Sequence, residues 1–380
     1  MDRGVSVAIS KFGMAYRDRY RPPAMVRNVL DSIRDCRTEQ MGGKMVVCSN
    51  CGARHVEYNS CRDRHCPNCQ SYRREVWLHD RREELLPVSY FHVVFTLPSA
   101  LDHIMLTHKR EGYGCLFSAS WETLSAFGKK AGVRLGMTAV LHTWGSALAF
   151  HPHLHCIVPG GGADAGTGRW RMLPLVKGDK DSSPFLFPVK AMSDMFRAKF
   201  MACLSKVVTI PGNIRAQCFR TPWVVFTRPS ATGDETVMQY LARYAYRVAI
   251  GNSRIKDVTD SGVTFSYKDY AHDGAIREMT LDGVEFMHRY AQHILPDHFV
   301  RIRHFGILAP GNRETLARLQ KECGTVPVRK RRRRISWAAI CVEKGWTTGV
   351  CKCCGAHDAH VVLPIEPRPR APAGVGRLSA

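Results

Sequence analysis

The sequence predicts an α+β protein in consecutive parts. Residues 1–86 read as a zinc-binding module of helices and knuckles, residues 87–310 as strands with helices, and residues 311–380 as a small basic, cysteine-rich segment. Three observations lead there. Cysteines cluster at knuckle spacing near the N-terminus. Short runs in the middle alternate apolar and polar residues with period two, as half-buried strands do. Between them lie stretches with apolar residues three and four apart, as in packed helices.

Charge narrows the function class. Lys and Arg number 55 against 33 Asp and Glu, a net +22 with a pI near 9.6. Such a surplus favours a polyanion, and nucleic acid is the usual one. No apolar run approaches the ~18 residues of a membrane span. Met1-Asp2-Arg3-Gly4 opens no signal peptide, so a cytoplasmic protein is expected, with no membrane partner. The 15 cysteines are then expected as metal ligands or reduced thiols rather than disulfides.

Helical patterning with many arginines opens the chain, and Pro22-Pro23 separates two helices. Val26, Val29, Leu30 and Ile33 fall on one face of the second, which should be core. Cys48-Ser-Asn-Cys51 and Cys66-Pro-Asn-Cys69 follow. Each Cys-x-x-Cys turn supplies two thiolates, and two such turns close a tetrahedral zinc site, so Cys48, Cys51, Cys66 and Cys69 are expected to hold one structural Zn²⁺. Cys61, His55 and His65 are spare ligands. Arg62, Arg64, Arg73 and Arg74 surround the knuckles and suit phosphate contacts.

A basic helix over 72–86 ends at Pro87. Tyr90 to Leu97 then alternates as a strand, with Phe91, Val93, Phe95 and Leu97 facing the core. Residues 101–132 read as helix, and 133–145 and 153–159 as two strands of a hairpin. On the second strand His153 and His155 share a face, because side chains alternate along a strand. Two imidazoles on a rigid strand make half of a metal site. His151 continues their parity across Pro152, and His142 lies on the partner strand; either could be the third ligand. Gly160-Gly161-Gly162 reads as a flexible strand exit, lacking the lysine of a P-loop.

Further on come a helix over 190–206 and a strand over 223–227. Thr232-Gly-Asp-Glu235 has capping-box spacing and would start a helix carrying Tyr240 and Tyr244, four apart and so on one face. Arg243 and Arg247 beside them favour a phosphate-facing role over core packing. A strand over 263–267, a hairpin through Asp282-Gly283, a helix near 284–294 and a strand 299–305 with a basic face of Arg301 and Arg303 complete this part. Residues 329–334 are all Lys or Arg. Cys351, Cys354, His357 and His360 offer a second, compressed zinc pattern, and a disordered Pro-rich tail is expected from Pro364.

His153-Leu154-His155 resembles the histidine–hydrophobic–histidine motif of HUH single-strand endonucleases, and Tyr240 and Tyr244 resemble the paired nucleophiles of their two-tyrosine class. The N-terminal knuckles, Tyr90 to Pro98, Leu141-His-Thr-Trp144, His151 to His155 and Tyr240-Leu-Ala-Arg-Tyr244 occur in one order. That order is similar to rolling-circle transposases of bacterial insertion sequences, the IS91 family, over residues 10–310. The resemblance implies a ferredoxin-like antiparallel catalytic sheet behind a zinc-binding domain and Mg²⁺ or Mn²⁺ at His153 and His155. It also implies nucleophilic tyrosines at 240 and 244, and single-stranded DNA at transposon ends, with target DNA, as substrate at the nucleoid. A replication initiator or relaxase would share this chemistry; a DNA-binding relic would bind without cleaving. A zinc hydrolase would need a carboxylate base, and none is placed for it.

Overall fold

Strand β6 (Phe150–Pro159) is central to the architecture, and its sequence shows why. Leu154, Cys156 and Val158 are buried on one side, while His153 and His155 face the other. The structure is a computed structural model that describes residues 4–176, 185–229, 244–325, 335–346, 349–357 and 360–367.

In chain order, helices α1 (Val5–Tyr20) and α2 (Ala24–Arg34) precede hairpin strands β1 (Gly43–Cys48) and β2 (Arg54–Tyr58). Helix α3 (Gln70–Arg82) leads to strand β3 (Tyr90–Thr96), helices α4 (Asp102–Thr107) and α5 (Lys109–Lys130), and strands β4 (Val133–Arg134) and β5 (Gly136–Trp144). After β6 come β7 (Gly161–Asp164), β8 (Trp170–Met172), α6 (Val189–Leu204), α7 (Gly212–Arg220) and β9 (Val225–Pro229). Strands β10 (Ile255–Val258), β11 (Gly262–Asp269) and β12 (Ala275–Asp282) precede α8 (Gly283–Gln292). Then follow β13 (Ile302–Gly306), α9 (Arg313–Glu322), α10 (Trp337–Glu343) and β14 (His360–Ile365).

The protein is of the α+β class, as the sequence predicts, with antiparallel sheets. Its division differs from the expected consecutive segments. One unit comprises Met1–Glu75, Ile250–Ala291 and Arg334–Ala380; the other comprises Val76–Ala249 and Gln292–Arg333. β1 pairs with β14 and β5 with β13 over long sequence separations, so each unit is built from segments far apart in sequence, which composition along the chain does not report.

The second unit holds the five-stranded sheet β13-β5-β6-β3-β9, every neighbouring pair antiparallel. Phe91, Val93, Phe95 and Leu97 line its core face, as their parity requires, and α5 and α6 cover it. Phe95 meets Phe196 of α6 with ring centroids 4.9 Å apart. Cys115 of α5 and Cys203 of α6 form a disulfide with Cα atoms 5.6 Å apart, contrary to the expectation of reduced thiols. Glycines 161 and 162 are not a loose exit but part of β7. A Cβ at either would strike the carbonyls of Arg171 or Arg134, so only glycine lets these short strands approach.

In the first unit, Asp31 of α2 pairs with Arg17 of α1 and with Arg34 of its own helix, so one of the N-terminal arginines ties α1 to α2. Val26, Leu30 and Ile33 are buried as expected. Asp282-Gly283 is no hairpin turn. Asp282 Oδ1 instead accepts the backbone N–H groups of Val284 and Glu285 and caps α8. Gly283 packs where a Cβ would meet the Phe12 ring. Pro364, the expected start of a disordered tail, lies in β14, on the edge of the β14-β1-β2 sheet, where a strand tolerates proline, and the rest of that tail, residues 368–380, lies outside the described residues. Among the described residues no helix is long and apolar enough to cross a membrane.

Two predictions concern the second unit. Gly306 has φ of 59°, and a Cβ there would press on the Leu135 carbonyl and the Trp121 ring. Gly306→Ala should cost at least about 2 kcal/mol, read from the denaturant midpoint. His304 Nε2 accepts from Arg81 at 3.4 Å, since a guanidinium only donates, which leaves Nδ1–H for Thr138 Oγ1 at 2.9 Å. Burial, then the Arg81 charge, lowers its pKa from 6.5 to about 4. Between these values the unfolded chain binds the extra proton, so this contribution is present above pH 6.5 and is lost as pH falls towards 4. The stability advantage of the parent over His304→Gln should shrink across that window in pH-dependent unfolding; a constant difference would refute the assignment.

Candidate active site

Register brings three histidines together. Strand β5 pairs with β6 so that His142 stands opposite His153, and His155 follows two residues on, on the same face. One ring nitrogen from each lies within 4.8 Å of the other two. The remaining nitrogens are engaged elsewhere. His142 Nε2 donates to the Tyr244 carbonyl at 2.8 Å, which leaves the Nδ1 lone pair. His153 Nδ1 donates to the His151 carbonyl at 2.7 Å, which leaves Nε2. His155 Nδ1 lies 2.8 Å from His92 Nε2, and in the tautomer that donates there its Nε2 is left 3.1 Å from His153 Nε2. Histidines that ligate metals have this arrangement, with the far N–H fixed by an acceptor.

The electrostatics agree. Burial, reinforced by the neighbouring histidine and arginine charges, keeps His142 and His155 neutral far below the usual range. Burial lowers His153 to about 4 and His92 to about 3. Neutral imidazoles are what a cation requires. No carboxylate joins this cluster among the described residues. Three nitrogen donors fit a divalent transition ion better than Mg²⁺, which prefers oxygen.

Of the two candidates for third ligand, His142 is the one grouped with His153 and His155, one ring nitrogen of each within 4.8 Å of the others. His151 is exposed and its carbonyl, not its ring, serves the cluster. Tyr244 is half-buried against the histidines, its ring centroid 4.0 Å from that of His155 and 5.3 Å from that of His92. Arg301 holds the Tyr244 segment. It is 9% exposed, and its guanidinium donates to the carbonyls of Ala245 at 2.9 Å and Arg247 at 3.0 Å. Tyr246 packs edge-on against Trp77 of α3. The expected basic face of the strand 299–305 is therefore absent: Arg301 points inward and Arg303 lies over the Phe117 ring at 4.2 Å. Tyr240, Arg243, the Thr232–Glu235 box and the 329–334 basic run lie outside the described residues.

The sequence reading missed two residues, His92 and Arg301. His92 had a signal, since it sits among the residues of β3 that alternate away from the core. Arg301 had none, because its role is to bind carbonyls far along the chain.

The thiolates also regroup. The expected single site of Cys48, Cys51, Cys66 and Cys69 is divided. Cys66 and Cys69 lie with Cys36 and Cys61, and Cys48 and Cys51 lie with Cys351 and Cys354. Cys69 Sγ is 3.5 Å from Cys36 Sγ and 3.6 Å from Cys61 Sγ. The Cys61 N–H points to Cys36 Sγ at 3.4 Å and the Asp63 N–H to Cys61 Sγ at 3.5 Å, contacts that favour thiolates. Knuckle spacing cannot reveal Cys36, which enters from the end of α2. His55 and His65 pair instead with Glu57 and Asp63. Arg62, Arg73 and Arg247 are exposed and Arg64 is half-buried, whereas Arg74 is engaged by Glu75 at 2.9 Å.

A Mn²⁺ titration followed by electron paramagnetic resonance checks the ligand set. His142→Ala should abolish tight binding, whereas His151→Ala should leave it. His92→Phe should weaken it by ~10–100-fold. Equal losses in His142→Ala and His151→Ala would contradict the geometry.

Comparison with known proteins places the chain among transposases. Residues 8–97 match the family described as "Transposase zinc-binding domain", and residues 136–315 match "Putative transposase". A protein of Sinorhizobium fredii, "Putative transposase y4qJ", is 42% identical over 324 residues, covering 80% of this chain and 79% of that one. "Transposase for insertion sequence element IS801" of Pseudomonas savastanoi pv. phaseolicola is 29% identical over 290 residues, 72% of this chain and 68% of that one. No solved structure matches. With a zinc-binding module, a histidine-bearing sheet and relatives along most of its length, the chain belongs to the IS91 family of transposases.

Proposed function

We propose that this transposase nicks and rejoins single-stranded DNA at transposon ends through a phosphotyrosine link, by rolling-circle transposition at the nucleoid. The observation that carries the reading is the packing of Tyr244 against His155, one of three grouped neutral histidines. Tyr240 and Tyr244 are the nucleophiles, and His142, His153 and His155 hold Mn²⁺ or Mg²⁺. When bound, the ion supplies charge to polarise a phosphate oxygen of the scissile bond.

The chain's own residues supply the rest. The tyrosine phenolate oxygen attacks phosphorus, a new O–P bond forms, and the bond from phosphorus to the 3′ oxygen breaks. That oxygen takes a proton and leaves as a 3′-hydroxyl, while the 5′ phosphate stays on tyrosine. The ester conserves the bond energy, so a later 3′-hydroxyl can reseal the strand without ATP. Two tyrosines permit one strand end to be held while another is cut. Arg301 keeps the Tyr244 backbone in place, and the exposed Arg62, Arg73 and Arg247 are available to phosphates. Zinc in the N-terminal module is structural, since four thiolates leave no open position.

The test uses labelled single-stranded oligonucleotides carrying candidate element ends, with Mn²⁺ or EDTA, resolved on a denaturing gel. Label should migrate with protein only with metal. The Tyr240→Phe/Tyr244→Phe double variant should lose the adduct by at least ~1,000-fold while native-gel DNA binding persists. His153→Ala should behave likewise. Undiminished cleavage by the double-tyrosine variant would overturn the assignment, and binding with no adduct in the parent across a panel of ends would mark a DNA-binding relic.

A further inference from the structure

Two distant segments of the chain fold into the same small device. Cys48-Ser-Asn-Cys51-Gly52-Ala53 and Cys351-Lys-Cys-Cys354-Gly355-Ala356 share the pattern Cys-x-x-Cys-Gly-Ala. Their backbones match as well. Gly52 N–H donates to the Cys48 carbonyl at 2.8 Å and Cys48 N–H to the Ala53 carbonyl at 2.9 Å. Gly355 N–H donates to the Cys351 carbonyl and Cys351 N–H to the Ala356 carbonyl, both at 2.9 Å. Gly52 and Gly355 each have φ of 72°, where a side chain would be strained.

The two turns face each other. Cys48 Sγ is 3.7 Å from Cys354 Sγ, and Cys51 Sγ is 3.7 Å from Cys351 Sγ. All four sulfurs lie within 4.8 Å of one another. A tetrahedron of sulfurs at the zinc–thiolate distance has edges of ~3.8 Å, whereas a disulfide needs ~2.05 Å. The Asn50 side-chain amide donates to Cys354 Sγ at 3.4 Å, a bond that stabilises a thiolate. Beside the turns, β14 pairs with β1 from Cys48 opposite His360 to Gly43 opposite Ile365. Among the described residues Cys351 and Cys354 are grouped with Cys48 and Cys51, in place of the compressed pattern with His357; the His360 side chain of that pattern lies outside the described residues.

We infer that Cys48, Cys51, Cys351 and Cys354 bind a zinc ion of their own, separate from that of Cys36, Cys61, Cys66 and Cys69. This ion clasps the C-terminal segment onto the N-terminal hairpin as a zinc ribbon made from two ends of the chain. The family matches end at residues 97 and 315, so neither contains the second knuckle. The inference is independent of the strand-cleavage chemistry.

Metal content of the full-length protein, measured by mass spectrometry after dialysis, tests it. The parent should carry two zinc ions. Cys351→Ser/Cys354→Ser should carry one, and Cys48→Ser/Cys51→Ser also one. The quadruple variant should still carry one, because both pairs serve the same ion. Two ions retained in the C-terminal variant, or none in the quadruple variant, would overturn the proposal. A measurement on the parent covers the case in which variants misfold. Partial zinc extraction should raise amide hydrogen exchange over residues 43–58 and 360–367 together. Unchanged exchange over 360–367 while 43–58 loosens would refute the clasp.

Discussion

The pairing of β5 with β6 sets everything at the histidine site. Side chains alternate along a strand, so a slip of one residue would turn His153 and His155 into the core and bring Leu154 and Cys156 out. The apolar residues forbid that slip. Leu154, Cys156 and Val158 are buried in the main core, and each would have to enter water. The hydrophobic effect thus fixes the register, and the register places the imidazoles. Nothing at the site itself needs to hold the strands together.

A second layer of order comes from hydrogen bonds to the histidines' outer nitrogens. Two of the three bonds end on backbone carbonyls, those of His151 and Tyr244. A carbonyl can only accept, so each bond selects one tautomer without a charged partner. One of the two carbonyls belongs to the residue whose ring covers the cluster. Tyr244 therefore contributes its backbone to one histidine and its ring to another, and Arg301 anchors the next turn from beneath. Ligand geometry and the tyrosine's position are mechanically coupled.

Much of this was legible in the sequence because period-two alternation is a local signal. It located β3, the β5–β6 hairpin, and the face shared by His153 and His155. Helix limits for α6 and α8 follow in the same way from apolar spacing, whereas the stretch read as one helix over 101–132 is α4 and α5, broken at His108. What escaped was non-local. Arg301 looked like a solvated residue because its carbonyl partners lie about fifty positions away, at 54 and 56 residues. The thiolate partners were misassigned for the same reason: spacing identifies a knuckle but not the knuckle it faces. Asp282-Gly283 misled differently, since a turn dipeptide and a helix cap use the same aspartate chemistry.

The pairing of β14 with β1 bears on how the protein is made. Synthesis runs from the N-terminus, and the first knuckle emerges 300 residues before the second. At the usual ~5–20 residues per second, β1 waits ~15–60 s with one edge open. The sheet β13-β5-β6-β3-β9 lies wholly within residues 90–306, so it can close during that wait. The newborn chain thus holds its histidine-bearing sheet before its N-terminal sheet is whole. A message cut short before the last knuckle would yield a protein with that sheet intact and an exposed β edge, the kind of surface that recruits other chains.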